Sequence, residues 1–350
     1  MIAPLERARR LARRSRAVAP PNPWVGAVIE RDGVVVGVGR TAHPGGPHAE
    51  VAALAAAGAL ARGAQMSVTL EPCAHHGRTP PCVDAIIEAG VARVEVGLID
   101  PDPRVRGRGI QALQAAGVEV RLAPRAMRAR LADDLAPYLS HRLRGRPFVV
   151  GKIACSLDGA VADRWGQSKW ITQEAARELG HRLRAEVDAI IVGRGTFERD
   201  RPQLTARPGG RLARRQPVRV VASRRPLDVP EGFVVASESP GALLAAGAAR
   251  GWVEVLVEGG PTLLGAYLAE GLVDELLVAI APILLGDEHA RHAVDLGEGR
   301  LLEDAIRGAW RAHRRVGEDL VAWVRLPAAT ALEDAYWGLE SQVLGAIGCR

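Results

Sequence analysis

Pro47-His48-Ala49-Glu50-Val51 precedes, by one predicted helix and one predicted strand, Glu71-Pro72-Cys73-Ala74-His75-His76-Gly77-Arg78-Thr79-Pro80-Pro81-Cys82. One His and two Cys can hold a single zinc ion. Catalytic zinc takes three protein ligands and keeps a fourth position for water, whose pKa it lowers to about 7. His48, Cys73 and Cys82 supply three such ligands. Glu50, two residues past His48, is placed to move protons for that water. The rest of the chain reads as support for this site or as a second site fed by it.

The chain has 350 residues, long for one domain, so two are expected. Apolar residues at 48% and 39 glycines suit an α/β protein with sizeable cores and tight turns. Aromatics at 4% weigh against a protein that stacks single-stranded bases on a row of rings. The formal net charge is +6, and Lys152 and Lys169 are the only lysines, so nearly all positive charge is Arg. Two readings stand: a solvated basic surface, or ligands that carry phosphate. Cys73, Cys82, Cys155 and Cys349 are too few for a disulfide framework. Two of them stand in metal spacing, which fits a reducing cytoplasm. No apolar run approaches the ~18 residues of a membrane span. The Arg-rich start, Met1 to Arg16, has no apolar centre and is not a secretory signal. Leu5, Ala8, Leu11 and Ala12 share one helical face, which favours an amphipathic first helix over a transit peptide.

After Pro20-Pro21-Asn22-Pro23, the runs Val25 to Ile29 and Val34 to Val38 flank Arg31-Asp32-Gly33 and predict a β-hairpin. Pro44-Gly45-Gly46-Pro47 opens an Ala-rich helix from about His48 to Leu60, with Glu50 in its first turn, where the helix dipole favours a carboxylate. Strands over Met66 to Leu70, Val91 to Leu98 and Val118 to Leu122 alternate with helices over Cys82 to Ala89 and Gly109 to Ala116. A hairpin followed by helix–strand units predicts a three-layer α/β domain. Pro124 to Pro147 is basic with no sheet pattern, and Arg144-Gly145-Arg146-Pro147 marks a domain boundary. A second α/β half starts at Phe148. Its predicted strands are Phe148 to Ala154, Asp188 to Val192, Val218 to Ala222, Trp252 to Val257, Glu275 to Ile280 and Asp319 to Leu326. Its predicted helices are Thr172 to Ala185, Pro240 to Arg250 and Pro261 to Glu270. In Ala328 to Arg350, the spacing of Leu332, Tyr336, Leu339 and Val343 predicts a short amphipathic helix with no assigned role.

His-x-Glu followed by Pro-Cys and a second Cys is the zinc-deaminase signature. In such a site Glu50 takes the water's proton and passes it to the leaving amine. The helices beginning near His48 and Cys82 bring two N-termini to the metal, and their partial positive charge favours thiolates. The rival is a closed structural site with a fourth ligand from His75 or His76, which leaves the Glu of His-x-Glu unexplained. Nucleic-acid and cytidine deaminases keep their cysteines as Pro-Cys-x-x-Cys. Here eight residues intervene, among them His75, His76 and Arg78. That loop reads as the wall of a pocket for a bulkier, phosphorylated substrate.

Pro21-Asn22-Pro23-x-Val25-Gly26-x-Val28, His48-Ala49-Glu50, the run from Glu71 to Cys82, Asp100-Pro101-x-Pro103 and Gly107-x-Gly109 together closely resemble one family. It is the N-terminal half of the bifunctional riboflavin-biosynthesis deaminase/reductases. The resemblance implies a cytidine-deaminase-like three-layer α/β/α fold. It implies a diaminopyrimidinone substrate with a ribosylamino 5-phosphate, whose ring 2-amino group leaves as ammonia. It also implies His48, Cys73 and Cys82 as zinc ligands and Glu50 as the catalytic proton shuttle. Ala27 stands where the family commonly has Cys, and a small side chain in a strand is no obstacle there.

In the second half, the apolar strand ending at Val257 runs into Glu258-Gly259-Gly260-Pro261-Thr262-Leu263-Leu264-Gly265-Ala266. Two glycines and a Pro at N1 place free backbone N–H groups at a helix start. This is a cradle for phosphate or dinucleotide, or an ordinary tight turn. It is not a Walker loop, since no Gly-Lys-Ser/Thr follows. Val192-Gly193-Arg194-Gly195-Thr196 follows another strand in the same way. Lys152-x-Ala154-x-Ser156-Leu157-Asp158-Gly159 ends a strand in a polar turn or a hairpin. With Ser168-Lys169-Trp170-Ile171-Thr172, Arg184-Ala185 and Asp200-x-Pro202-x-Leu204-Thr205-x-Arg207, these stretches resemble the reductase half of the same family, whose fold is like dihydrofolate reductase.

The resemblance implies NADPH contacts from Ala154, Trp170, Thr196, Asp200, Ser223, Gly260, Pro261, Thr262, Leu263, Leu264, Gly265 and Ala266. It implies substrate contacts from Ser168, Arg184, Leu204, Arg207 and Glu258. Arg184 and Arg207 suit a phosphate, and Glu258 can accept from ribose hydroxyls. The implied reaction is hydride transfer to the ring-opened ribose, giving a ribityl chain. No side chain reads as its proton donor. Arg201 stands where the family commonly has a second acidic residue after Asp200. Lys152 reads as a phosphate or substrate contact, or as half of a structural ion pair.

The expected organisation is a deaminase over 1–145, a reductase over 146–327 and a tail over 328–350, with zinc and NADPH as cofactors. A phosphorylated pyrimidine is the expected partner, with neither nucleic acid nor membrane. A dimer is an expectation from the family alone. The rivals are a deaminase acting on bases in nucleic acid, a non-catalytic zinc protein that binds a nucleotide, and a chain with one active half. The wide cysteine spacing, the scarce aromatics and the cofactor-type second half count against the first.

Overall fold

The first helix and the hairpin form in the computed structural model, which describes residues 2–77 and 80–348. Helix α1 spans Pro4–Arg13, β1 Gly26–Arg31, β2 Val34–Arg40 and α2 Ala49–Ala57. The face predicted for α1 is the one it buries, through Leu5, Ala8 and Ala12. Gly26 lets that helix approach, because a Cβ there would lie 2.0 Å from the Ala8 carbonyl oxygen. Gly37 and Gly39 do the same for α2, where a Cβ would lie 2.3 Å from Ala53 O and 2.0 Å from Ala49 O. Gly39 pairs with Ala27, one residue on from Gly26, and successive strand residues face opposite sides. So α1 and α2 cover opposite faces of one sheet.

The chain continues through β3 (Gln65–Val68), α3 (Cys82–Glu88), β4 (Arg93–Val96), α4 (Arg108–Ala115), β5 (Glu119–Leu122) and α5 (Arg125–Arg144). The sheet order is β2-β1-β3-β4-β5. The pairs β1/β2 and β1/β3 are antiparallel, and β3, β4 and β5 run parallel. Helix α3 packs with α2 and α4. Helix α5 is tied to α1 by Arg9 and Asp134 at 2.6 Å. The basic stretch Pro124 to Pro147, which shows no sheet pattern in the sequence, holds this 20-residue helix. Leu131, Leu135, Tyr138 and Leu139 form its buried stripe, which the many arginines and the internal Pro137 hide in the sequence.

The second half supplies β6 (Phe148–Cys155), β7 (Ala160–Ala162), α6 (Glu174–Glu186), β8 (Ala189–Gly193), α7 (Arg194–Asp200), β9 (Val218–Ala222) and β10 (Phe233–Ala236). It continues with α8 (Pro240–Ala249), β11 (Glu254–Val257), α9 (Pro261–Ala269), β12 (Glu275–Ile280), β13 (Arg291–His292), β14 (Ala309–Val316), β15 (Asp319–Arg325) and α10 (Pro327–Ile347). An eight-stranded sheet runs β10-β9-β8-β11-β6-β12-β15-β14. Its first six strands are parallel, and β15 and β14 close it antiparallel. All four residues of β11 are buried, as a central strand covered on both faces requires.

Two strands of this eight-stranded sheet escape sequence reading, as do β7 and β13, which pair with each other. Almost every residue of β14 is exposed, so it has no alternation of apolar and polar positions. Strand β10 is four residues long and sits at the sheet edge. Lys152 lies inside β6 opposite Leu277, not at a strand end, because that strand runs on to Cys155.

One compact unit comprises Met1–Arg144 with Glu333–Arg350, and the other Gly145–Leu332. The amphipathic helix predicted near the C-terminus forms, but as the 21-residue α10. No helix among the described residues is long and apolar enough to cross a membrane.

Candidate functional site

His48 is the N-cap of α2, Cys82 is the first residue of α3, and Cys73 lies in the loop after β3. His48 Nδ1 is 3.7 Å from Cys73 Sγ and 3.3 Å from Cys82 Sγ. Tetrahedral zinc with its usual bond lengths holds a nitrogen and a sulfur about 3.6 Å apart. The spacing therefore fits zinc. Among the described residues, neither His75 nor His76 joins this group, which brings together three ligand atoms. His75 Nδ1 is buried without a hydrogen-bond partner. Arg78, named with that loop, lies outside the described residues.

The electrostatics agree with the geometry. The hydrogen bond from Cys82, with one from His48, outweighs burial and brings the Cys73 thiol down to about 4. The same contact with Cys73, together with burial, pushes the Cys82 thiol well up. Two thiolates this close need a divalent cation to ionise together. Glu50 is buried in the first turn of α2. Burial, with the Cys73 sulfur nearby, pushes its carboxyl up to about 7, against the pull of His48 and Cys82.

Glu71 is a residue the sequence motif contains but whose task it does not reveal. Its buried carboxylate accepts four backbone N–H groups: Asp100 at 3.2 Å, Gly107 at 3.0 Å, Gly109 at 2.9 Å and Ile110 at 3.4 Å. The last three lie at the start of α4, a place that favours a carboxylate, and Asp100 lies in the loop after β4. Two residues on, Cys73 is thus carried on a segment pinned to that helix. Gly109 must be glycine, because a Cβ would sit 2.1 Å from Pro72 O. The Asp100-Pro101-x-Pro103 and Gly107-x-Gly109 motifs are therefore the receiving surface for Glu71.

In the second unit, a cleft of about 900 Å³ opens at the C-terminal ends of β6, β8, β9, β10 and β11. Ligands of open parallel sheets bind there. It is lined by Ala154, Ser168, Trp170, Arg184, Thr196, Asp200, Leu204, Arg207, Ser223 and Glu258, and by Gly260 to Leu264 and Ala266. Gly265 is the exception. It packs against the backbone of Asp295, where a Cβ would lie 1.7 Å from the carbonyl oxygen, and it does not line the cleft. Gly260 N–H donates to Thr196 Oγ1 at 3.1 Å, which ties the two glycine-bearing turns together.

Ten Lys or Arg residues, including both lysines of the chain, and three carboxylates line this cleft. That balance suits ligands carrying several phosphates. Arg184 is less free than its motif implies, since its Nε and Nη2 donate to Glu258 Oε2 at 2.9 and 2.6 Å. Burial raises the Glu258 carboxyl, but Arg184 and Lys152 more than offset it and leave it lowered. Glu258 Oε1 is buried without a hydrogen-bond partner, so the site holds an unspent polar atom. Arg177 and His181 also line the cleft and were not singled out from the sequence. Their spacing with Arg184 (i, i+4, i+7) on a predicted helix was the available signal. Arg201 caps α7 in the left-handed region and lies over the Phe197 ring at 5.5 Å.

Residues 3–98 match the family model for the cytidine and deoxycytidylate deaminase zinc-binding region, and residues 147–321 match that for the RibD C-terminal domain. The chain belongs to the RibD family. It is a bifunctional riboflavin-biosynthesis enzyme, a zinc-dependent deaminase joined to an NADPH-dependent reductase. The RibD protein of Chlamydia trachomatis is 44% identical over 314 residues, covering 79% of this chain and 83% of that one. The RibD protein of Escherichia coli K12 is 40% identical, covering 90% and 96%. A solved RibD structure from Acinetobacter baumannii superposes with a TM-score of 0.82 at 34% identity, covering 92% and 97%. A deaminase/reductase from Thermotoga maritima superposes at 0.84 with 31% identity and the same coverage. The cytidine-deaminase-like first fold and the RibD-type second fold are thus those of the family.

Proposed function

We propose that this RibD enzyme acts on a diaminopyrimidinone bearing a ribosylamino 5-phosphate, replacing the ring 2-amino group by oxygen and then reducing the ribosyl chain to ribityl. The Thermotoga maritima relative is named as a diaminohydroxyphosphoribosylaminopyrimidine deaminase and 5-amino-6-(5-phosphoribosylamino)uracil reductase. The observation that carries the deaminase half is a buried carboxyl, Glu50, in the first turn of the helix capped by His48, one of three clustered ligand side chains. Zinc held by His48, Cys73 and Cys82 would lower the pKa of a water and make it a nucleophile at neutral pH. Glu50 accepts the proton of the attacking water and delivers it to the departing amine, which leaves as ammonia.

In the second unit, Ala154, Trp170, Thr196, Asp200 and Ser223 would hold NADPH, which would supply the hydride. The first turn of α9 offers the amides of Thr262 and Leu263 to the dinucleotide phosphates, with Gly260, Pro261, Leu264 and Ala266 beside them. Ser168, Leu204 and Glu258 contact the substrate. Arg184 holds Glu258 in place. Arg207, whose side chain makes no hydrogen bond or ion pair among the described residues, binds the 5-phosphate. Gly265 is left out of the contacting set. The deaminase occupies 1–145 and the reductase 146–327. The enzyme works in the cytoplasm, where thiols stay reduced, as a homo-oligomer with neither nucleic acid nor membrane as partner.

The test is to assay ammonia release and NADPH oxidation separately on the full chain. Chelation is expected to abolish the first and to spare the second when deaminated intermediate is supplied. Loss of both together would overturn the division of labour. Ammonia release from tRNA bases, with none from the free pyrimidine, would overturn the substrate.

A further inference from the structure

The last 15 described helical residues of α10, from Glu333 to Ile347, belong to the first unit. Tyr336 is fully buried there, and its hydroxyl lies 3.1 Å from Ile99 O and 3.4 Å from Glu340 Oε1. Glu340 is also buried and is paired with Arg128, with Arg125 at 3.7 Å. The Arg125 guanidinium lies 3.3 Å from the Trp337 ring centroid. Farther along, Val343 and Ile347 press on Gly107, where a Cβ would come within 2.8 and 3.3 Å of their methyl carbons.

These contacts fall on one short segment. Ile99 precedes Asp100, and Gly107 caps α4; the amides of Asp100 and Gly107 both donate to Glu71 Oε2. Gly107 is therefore held from two sides: its N–H by Glu71, its Cα by Val343 and Ile347. A positive φ of 83° adds to the need for glycine. The path from the tail to the metal site is short: α10, then the 99–107 loop, then Glu71, then Cys73 two residues on.

We infer that residues 333–347 are a positioning element of the deaminase centre, seating the 99–107 loop on Glu71 so that Cys73 stays at metal-binding spacing. The inference rests on the assignment of His48, Cys73 and Cys82 as zinc ligands. Tyr336 and Val343 touch neither metal nor substrate and act through Glu71.

The experiment measures zinc release from the full-length, zinc-loaded enzyme into excess colorimetric chelator, and the thiolate-to-cobalt absorption of the cobalt-substituted form. Val343→Asp puts a charge against Gly107, and Tyr336→Phe removes only a hydroxyl. Gln342→Asp, at an exposed neighbouring position, is the control. Supporting residues around metal ligands are worth about 10–100-fold in affinity. Val343→Asp should release zinc at least about tenfold faster, and Tyr336→Phe by a smaller factor, with a shifted cobalt spectrum. Gln342→Asp should match wild type, and all three should oxidise NADPH with the deaminated intermediate as wild type does. A folded Val343→Asp that releases zinc at the wild-type rate overturns the inference. If Val343→Asp does not fold, an unchanged rate in Tyr336→Phe overturns it. His48→Ala retaining zinc as wild type would instead sink the ligand assignment itself.

Discussion

The backbone N–H of Cys82 donates to the sulfur of Cys73 at 3.3 Å. Cys82 opens α3, so the helix offers its first amide and its positive end to the thiolate of the other ligand. One metal ligand thereby stabilises another through the backbone. Cys82→Ser keeps that amide but removes a sulfur. Zinc content should fall well below one per chain, and ammonia release should drop by about 100-fold or more. Metal analysis with the two separate assays checks this, and NADPH oxidation with the deaminated intermediate should not change.

Glu50 stands apart from the ligands in its role. Glu50→Gln is nearly isosteric and should leave zinc content at the wild-type level. The kcat of deamination should fall by about 10²–10⁴-fold, the usual worth of a general acid–base group. A variant that lost zinc in parallel with activity would make Glu50 a ligand instead.

Gly109 faces Pro72 too closely for any side chain. Gly109→Ala must push the Glu71-Pro72-Cys73 segment off α4, at a cost of about 1–3 kcal/mol typical of overpacking. Urea denaturation followed through zinc release should show the midpoint move down. Gly117→Ala is no fair comparison, since its φ of 83° strains any side chain.

Burial raises the Asp100 carboxyl to about 7, while the Asp102 amide and the Tyr138 hydroxyl donate to its Oδ1. The folded chain thus holds a proton that the unfolded chain releases near pH 4. Stability from this group is fully present below about pH 4 and declines as pH rises to about 7, by at most about 1.4 kcal/mol per pH unit. Asn at this position keeps the acceptor oxygen and cannot ionise. Denaturant midpoints of Asp100→Asn should therefore fall less steeply than those of wild type between pH 4 and 7. Parallel profiles would refute the raised carboxyl.

Arg184 and Arg207 look alike in the sequence, yet Arg184 is engaged with Glu258. Arg207→Ala should raise KM for the phosphorylated substrate by about 10–100-fold, as loss of charge-assisted hydrogen bonds worth about 1.5–3 kcal/mol implies. KM for NADPH should stay put. Steady-state kinetics with each ligand varied in turn separate the two.

The cluster of His48, Cys73 and Cys82 was legible because metal chemistry demands particular residue types, and two helix starts bring them together over a short length of chain. The α1 face and the strand-to-helix turns after β8 and β11 were legible for a similar reason, since periodicity and glycine–proline punctuation act locally. Helix α5 was not, because Pro137 and its arginines break the local pattern while burial of Leu131, Leu135 and Tyr138 restores the helix.

The sequence by itself determined the two α/β halves, the donor set at His48, Cys73 and Cys82, and the carboxyl of Glu50 beside it. Tertiary structure alone decided that Glu71 gathers four amides, that Arg184 is engaged with Glu258, that Gly265 turns away from the cleft, and that the tail from Glu333 rejoins the first unit. The reason is physical. A linear pattern records which face a residue presents, but its hydrogen-bond partner and its packing neighbour come from distant segments, and only the closed fold brings them within reach.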